Sequence, residues 1–179
     1  MLEEEFLSRL DEILRPIGLR TDEGEAFREP SLDVLRYDVR PVRLHRVPIL
    51  GRALAVVATL RQPVDVGLAE GGYPKLLRRI AMAINGRYPP WPCGLTVGLT
   101  VIVLTPEPIA PGDDAALQSA LRTIPRMRAV PLGLLRVNLG QEGLAFALTS
   151  GPPGLFPEPA ALADGLTPHL RRFVDHLPA

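Results

Sequence analysis

The sequence predicts an α/β (or α+β) fold, a single domain over residues 1–179 with helices packed on one mixed five-stranded sheet. Three observations lead there. Leu95–Leu104, Leu-Thr-Val-Gly-Leu-Thr-Val-Ile-Val-Leu, carries no charge and is rich in Leu and β-branched residues. Such a run, held between Cys93-Gly94 and Thr105-Pro106, reads as a strand buried on both faces. Apolar residues at helical spacing then alternate with strand-like runs along the chain, and Pro/Gly signals divide the two. No internal repeat at a solenoid period is visible.

In chain order the reading is α-β-β-α-β-α-β-β-α. Leu2, Phe6, Leu7, Leu10, Ile13 and Leu14 form the apolar stripe of a first helix, with Glu3, Glu4 and Glu5 at its positive N-terminal end. Pro16 and Gly18 stop it, and Thr21–Pro30 reads as a loop. Leu32–Leu44 and Ile49–Gln62 are two strands of an antiparallel hairpin turning at His45–Pro48. In the first, Val34 and Val42 alternate against Leu35, Tyr37 and Val39, and Pro41 argues for an edge strand or a bulge. In the second, Leu54, Val56, Ala58 and Leu60 share one face, and Ala53, Ala55 and Val57 the other.

Pro74 is placed to open a helix that ends at Asn85-Gly86, with Leu76, Leu77, Ile80, Ala83 and Ile84 inward. Asp113 and Asp114 are expected to cap a helix running to about Thr123, with Leu117, Ala120, Leu121 and Ile124 inward. Ala129–Leu139 and Leu144–Thr149 form a second hairpin around Gly140–Gly143. Gly151–Pro159 reads as a loop, and Thr167-Pro168 as the start of a last helix carrying Leu170, Phe173, Val174 and Leu177. The two strand–helix–strand passages place the Leu95–Leu104 strand parallel to its neighbours, by right-handed crossovers.

Composition narrows the function classes. The chain is 46 % hydrophobic with 20 acidic and 20 basic side chains, a mean hydropathy of +0.14 and a pI near 6.8. Bulk charge gives no pull toward nucleic acid or an anionic membrane. Lys75 is the one lysine beside nineteen arginines, a bias that fits GC-rich codons and a bacterial source. Cys93 stands alone, which excludes an intramolecular disulfide and a cysteine zinc site. The acidic N-terminus differs from a secretory signal, and no run reaches the about 20 apolar residues of a membrane span. A cytoplasmic protein is expected.

No catalytic signature emerges. His169 and His176 lie two helical turns apart, roughly 10 Å, too far to share a metal. No serine sits in a Gly-x-Ser-x-Gly elbow, and no acidic-x-Lys tripeptide suggests a metal-dependent nuclease. Cys93 reads as a small buried residue, and Tyr88-Pro-Pro-Trp-Pro as a stiff linker whose Trp91 packs at home or against a partner. Neither a metal nor a cofactor is implied.

Two stretches carry candidate binding residues. Gly71, Gly72, Lys75 and Arg78 follow a strand and open a helix, where amide groups can hold an anion. The stretch departs from a phosphate loop, because Tyr73-Pro74 separates the glycines from Lys75 and Leu76 replaces the Ser or Thr. The hairpin is locally basic, with seven arginines against three acids over Arg28–Gln62. Arg36, Arg40 and Arg43 are therefore the candidate phosphate contacts of a nucleic-acid ribbon over residues 36–61, although Tyr37 is the only stacking aromatic there. Residues 1–27 hold eight acids and three arginines, so the first helix and the hairpin complement each other in charge.

The reading favoured is a non-catalytic binding or assembly component whose partner is a second copy or another protein. An enzyme or binding protein for a phosphorylated or otherwise anionic small ligand at Gly71–Lys75 is the alternative. A nucleic-acid module using the hairpin comes third, and nucleic acid is not the expected partner.

Overall fold

The computed structural model describes residues 1–22, 32–43, 52–67, 71–87, 95–123, 129–149 and 155–173. Its elements in chain order are α1 (Glu3–Leu14), β1 (Arg20–Thr21), β2 (Val34–Arg43), β3 (Arg52–Arg61), α2 (Gly72–Arg87), β4 (Leu95–Leu104), α3 (Asp113–Arg122), β5 (Ala129–Asn138), β6 (Gly143–Leu148), α4 (Glu158–Leu166) and β7 (Arg171–Arg172). They form four helices on one mixed sheet whose seven strands lie side by side in chain order. The sheet has seven strands rather than the five expected, because two-residue pieces, β1 and β7, are added at its edges. Strands that short have no hydrophobic pattern to betray them.

β4 occupies the span expected and pairs in parallel with β3 and β5, from Arg52↔Leu95 to Arg61↔Leu104 and from Val97↔Ala129 to Leu104↔Val137. Parallel neighbours require a crossover, and here α2 and α3 supply it. Both pack on one face of the sheet, where Leu76, Leu77, Ile80, Leu117 and Leu121 meet Val56, Ala58, Leu60, Leu99, Val101, Val103 and Leu134. The opposite face is covered by α1 and α4, whose Phe6, Leu10, Leu14, Leu162 and Leu166 meet Val57, Ile102, Leu135 and Val137. The alternation along β3 thus falls as the sequence indicates.

β2 pairs antiparallel with β3, and β5 with β6. A register shift lies between Val34 and Arg36, not at Pro41. It turns Val34 to the α2/α3 side with Tyr37 and Val39, and leaves Leu35 on the α1/α4 side. Tyr37 O accepts the Asp22 N–H at 2.9 Å, so odd-numbered residues of this strand direct their backbone groups outward. Pro41 therefore has its missing N–H on the open edge, where it breaks no pairing. At the far edge β7 pairs with β6 only at Gly143↔Arg171 and Leu144↔Arg172, and the Phe146 N–H donates to Asp114 Oδ1 at 2.8 Å.

Four further expectations are corrected. α2 begins at Gly72, two residues before Pro74. Gly112 is the N-cap of α3, and no side chain caps it. Asp113 and Asp114 are drawn away to Arg136 and to Phe146 N and Arg172. Leu2 precedes α1 in extended backbone, leaves the helical stripe and is 76 % exposed. The last helix lies at Glu158–Leu166 and ends where one was expected to start. Residues 159, 162, 163 and 166 give it a buried stripe. Gly165 lets it approach α1 closely, since a Cβ there would meet Ile13 at 2.7 Å. The turn at His45–Pro48, the Tyr88–Gly94 segment with Trp91 and Cys93, Ile124, and Val174, His176 and Leu177 lie outside the described residues.

Val101 is fully buried in the apolar cluster between the sheet and α2/α3. Val101→Asp is expected to cost several kcal/mol, a large part of the roughly 5–15 kcal/mol that holds a domain. Soluble yield and thermal melting check this, and a wild-type midpoint would mean the core is elsewhere.

Candidate functional site

The carboxyl ends of β3, β4 and β5 gather one polar network. In α/β sheets this is the end at which ligands collect. Arg136 projects from β5 into the α2/α3 layer and is buried. Its guanidinium donates to Glu107 Oε2 at 2.7 Å, to Asp113 Oδ2, and to Pro108 O at 3.2 Å. Asp113 Oδ2 also accepts the Ala110 N–H at 3.1 Å. Gln62 donates to Val66 O at 2.6 Å and to Glu107 Oε1 at 3.0 Å, and accepts the Tyr73 hydroxyl at 3.1 Å. Asn138 donates to Pro106 O and Glu107 O at 3.1 and 2.9 Å. The loop from β4 to α3 is thereby lashed to β5 and to the start of α2. Both Glu107 carboxylate oxygens are held within the protein and Arg136 has two acids, while its buried Nε has no hydrogen-bond partner among the described residues. A role in fixing α2 and α3 on the sheet follows from that.

Burial pushes the Tyr73 hydroxyl up to about 12, against the opposing pull of Arg136. Sequence reasoning missed this cluster. Its visible trace was one arginine inside the apolar run Ala129–Asn138, a charge that burial allows only with partners.

Gly71, Gly72, Lys75 and Arg78 stand at the same end of the sheet. Gly72 is buried and its N–H donates to Gly67 O at 3.1 Å. A Cβ on Gly72 would meet that oxygen at 2.9 Å, so only glycine lets the loop approach. With this N–H engaged and none on Pro74, two of the first three amides of α2 are withheld from any anion. Lys75 and Arg78 are exposed one turn apart on the outer side of α2.

The arginines of the hairpin take another course. Arg36, Asp38 and Arg40 lie at alternate positions of β2 and face the α1/α4 layer. Arg36 is bidentate to Asp38, with Nε to Oδ2 at 2.7 Å and Nη2 to Oδ1 at 2.8 Å, and Nη2 also reaches Asp11 Oδ1 at 2.6 Å. Nη1 donates to Leu7 O at 3.3 Å. Asp38 is 0 % exposed and also accepts the Thr21 hydroxyl at 2.9 Å. Burial works to lower the Arg36 pKa, but the hydrogen bonds to Asp38 and Asp11 outweigh it and hold the group above its ordinary value. Arg40 donates through Nε and Nη2 to the buried Glu158 of α4, and through Nη2 to Leu155 O at 3.0 Å. The structure thus commits Arg36 and Arg40 to internal carboxylates. The side chain of Arg43 lies outside the described residues.

Beside Arg36 a cleft of about 490 Å³ opens between the end of α1 and β1, lined by Asp11, Arg15, Gly18, Leu19, Arg20, Thr21 and Arg36. Gly18, at φ +87°, turns the chain from α1 into β1. Arg15 sits at the carbonyl end of α1, where a cation is favoured, and reaches Asp11 at 3.5 Å. Arg20 is exposed, and among the described residues no carboxylate pairs with it. Nothing in the linear pattern marks this cleft, since it forms only when Arg36 of β2 is brought against the segment 11–21.

Among the described residues no group of three or more His, Cys, Asp or Glu is arranged to hold a metal ion, and no helix is long and apolar enough to cross a membrane. Comparison of the chain with protein-family models, with curated proteins and with solved structures finds no match.

The raised Tyr73 pKa links stability to alkaline pH. The unfolded tyrosine ionises near 10 and the folded one near 12, so the folded state holds its proton longer. The contribution is complete below pH 10 and is lost as pH rises toward 12, about 3 kcal/mol in all. Urea unfolding of wild type and Tyr73→Phe across that window should show a flatter decline in the variant. Equal slopes would remove Tyr73 as the cause.

Proposed function

We propose that the chain is a non-catalytic binding component that takes a small anionic ligand in the cleft between α1 and β1. One observation carries this reading: Arg20 borders an open cleft with no carboxylate partner among the described residues, beside Arg36 and Arg15. Asp11 lines the same cleft and Asp38 lies behind it, so the three arginines outweigh two carboxylates. A phosphate or carboxylate seated there gains charge-assisted hydrogen bonds from the exposed Arg15 and Arg20 guanidinium groups. Arg36, fixed by Asp38 and Asp11, adds a stationary positive charge behind them.

The same geometry supports the cleft over the other two candidate surfaces. At Gly71–Lys75 two of the first three amides of α2 are withheld, and in the hairpin Arg36 and Arg40 face inward. An extended nucleic-acid backbone needs a row of outward cations, whereas a compact anion needs only the two or three that meet at this cleft.

Thermal melting in inorganic phosphate or malonate, against choline chloride at matched ionic strength, tests the proposal. A ligand at 100 times its Kd stabilises by about 2.7 kcal/mol, a rise of roughly 5–11 °C for a chain of this size. The rise should vanish in Arg20→Ala, an exposed change that leaves the fold intact. No rise in wild type, or an equal rise in the variant, would overturn it.

A further inference from the structure

We infer that copies of the chain associate head to tail, the outer face of α2 in one copy seating on the first turn of α1 in the next. The outer face of α2 is basic in its first half. Gly72–Arg87 contains no acid, and Lys75, Arg78, Met82 and Gly86 are its exposed residues at three-, seven- and eleven-residue steps, a single helical face. Among the described residues no carboxylate pairs with Lys75 or Arg78. Arg79, on the flank, reaches Asp65 at 3.5 Å.

The first turn of α1 is the opposite in sign. Glu3 is held by Arg61 at 2.7 Å, while Glu4 and Glu5 are exposed and have no basic partner among the described residues. Three large apolar side chains are exposed among the described residues: Leu2 at 76 %, Val64 at 107 % and Met82 at 59 %. Leu2 adjoins the acidic turn, and Met82 stands on the same face of α2 as Lys75 and Arg78. Each surface therefore has an apolar contact flanked by charge that is unpaired among the described residues, and the charges are complementary.

Placement decides the symmetry. α2 lies on one face of the sheet and α1 on the other, so a copy cannot close the contact on itself. A two-fold dimer through α2 would set basic face against basic face. A heterologous contact satisfies both surfaces and propagates until a ring closes or an open chain forms. The chain has a formal net charge of zero, so added copies build up no net repulsion. This inference is independent of the cleft.

Sedimentation velocity over a concentration series at low salt is the test. Wild type should grow past the dimer with concentration, and return to monomer near 1 M salt, where the screening length falls to about 3 Å. Lys75→Ala with Arg78→Ala, and separately Glu4→Ala with Glu5→Ala, should each stay monomeric with an unchanged melting midpoint. Mixed in equal amounts, the two variants should form a dimer and nothing larger, because each retains one working face. A wild type that stays monomeric, a dimer that never grows, or assembly surviving either pair of substitutions would each overturn the inference.

Discussion

Everything in this fold depends on β4 pairing in parallel on both sides. A parallel pair cannot be joined by a tight turn, so each pairing places a helix over the sheet. Both helices fall on the same face. The other face, with Val57, Ile102, Leu135 and Val137, is then left to whatever the chain supplies from outside the β3–β5 unit. It is closed by the first and last helices, which meet through Ile13 and Gly165. Chain ends distant in sequence thus share the burial of one core face, and neither can be removed without exposing it.

Apolar burial alone is non-directional and does not fix where those helices sit. Buried ion pairs do that here. Arg36 joins α1 to β2 through Asp11, and Arg40 joins β2 to α4 across 118 residues through Glu158. Arg136 joins β5 to the loop that leads into α3. Removing one partner of such a pair strands the other without water, a cost of about 3–5 kcal/mol, although an apolar replacement of both can be neutral. The acidic start of the chain and the basic hairpin find each other in the same way, at Asp11–Arg36 and Glu3–Arg61.

Much of the fold was legible because its strands carry strong local signals. β4 was bounded to the residue, since a charge-free run between Gly94 and Pro106 allows few alternatives. The last helix was misplaced because Pro159 and Gly165 read locally as breakers, while Thr167-Pro168 reads as a start. Tertiary contact with Ile13 is what makes the glycine useful. The binding residues were harder. Lys75, Arg36 and Arg40 were noticed as charges, but a linear sequence does not say which carboxylate lies across the sheet. Asp38 and Glu158 as partners, and Arg20 as the arginine left over, emerge only when three stretches are brought together.

The two borders of the sheet have a consequence of a different kind. An open strand edge is a template onto which another polypeptide can crystallise itself, the first step toward fibrils. Here β1 covers the middle of one border and Pro41 offers no N–H donor beyond it, while β7 and the Asp114 carboxylate occupy donors along the other. A sheet with so much β-branched sequence is thereby kept from growing sideways. Any joining of one molecule to another is left to the helical layers, where it can be undone without unfolding either.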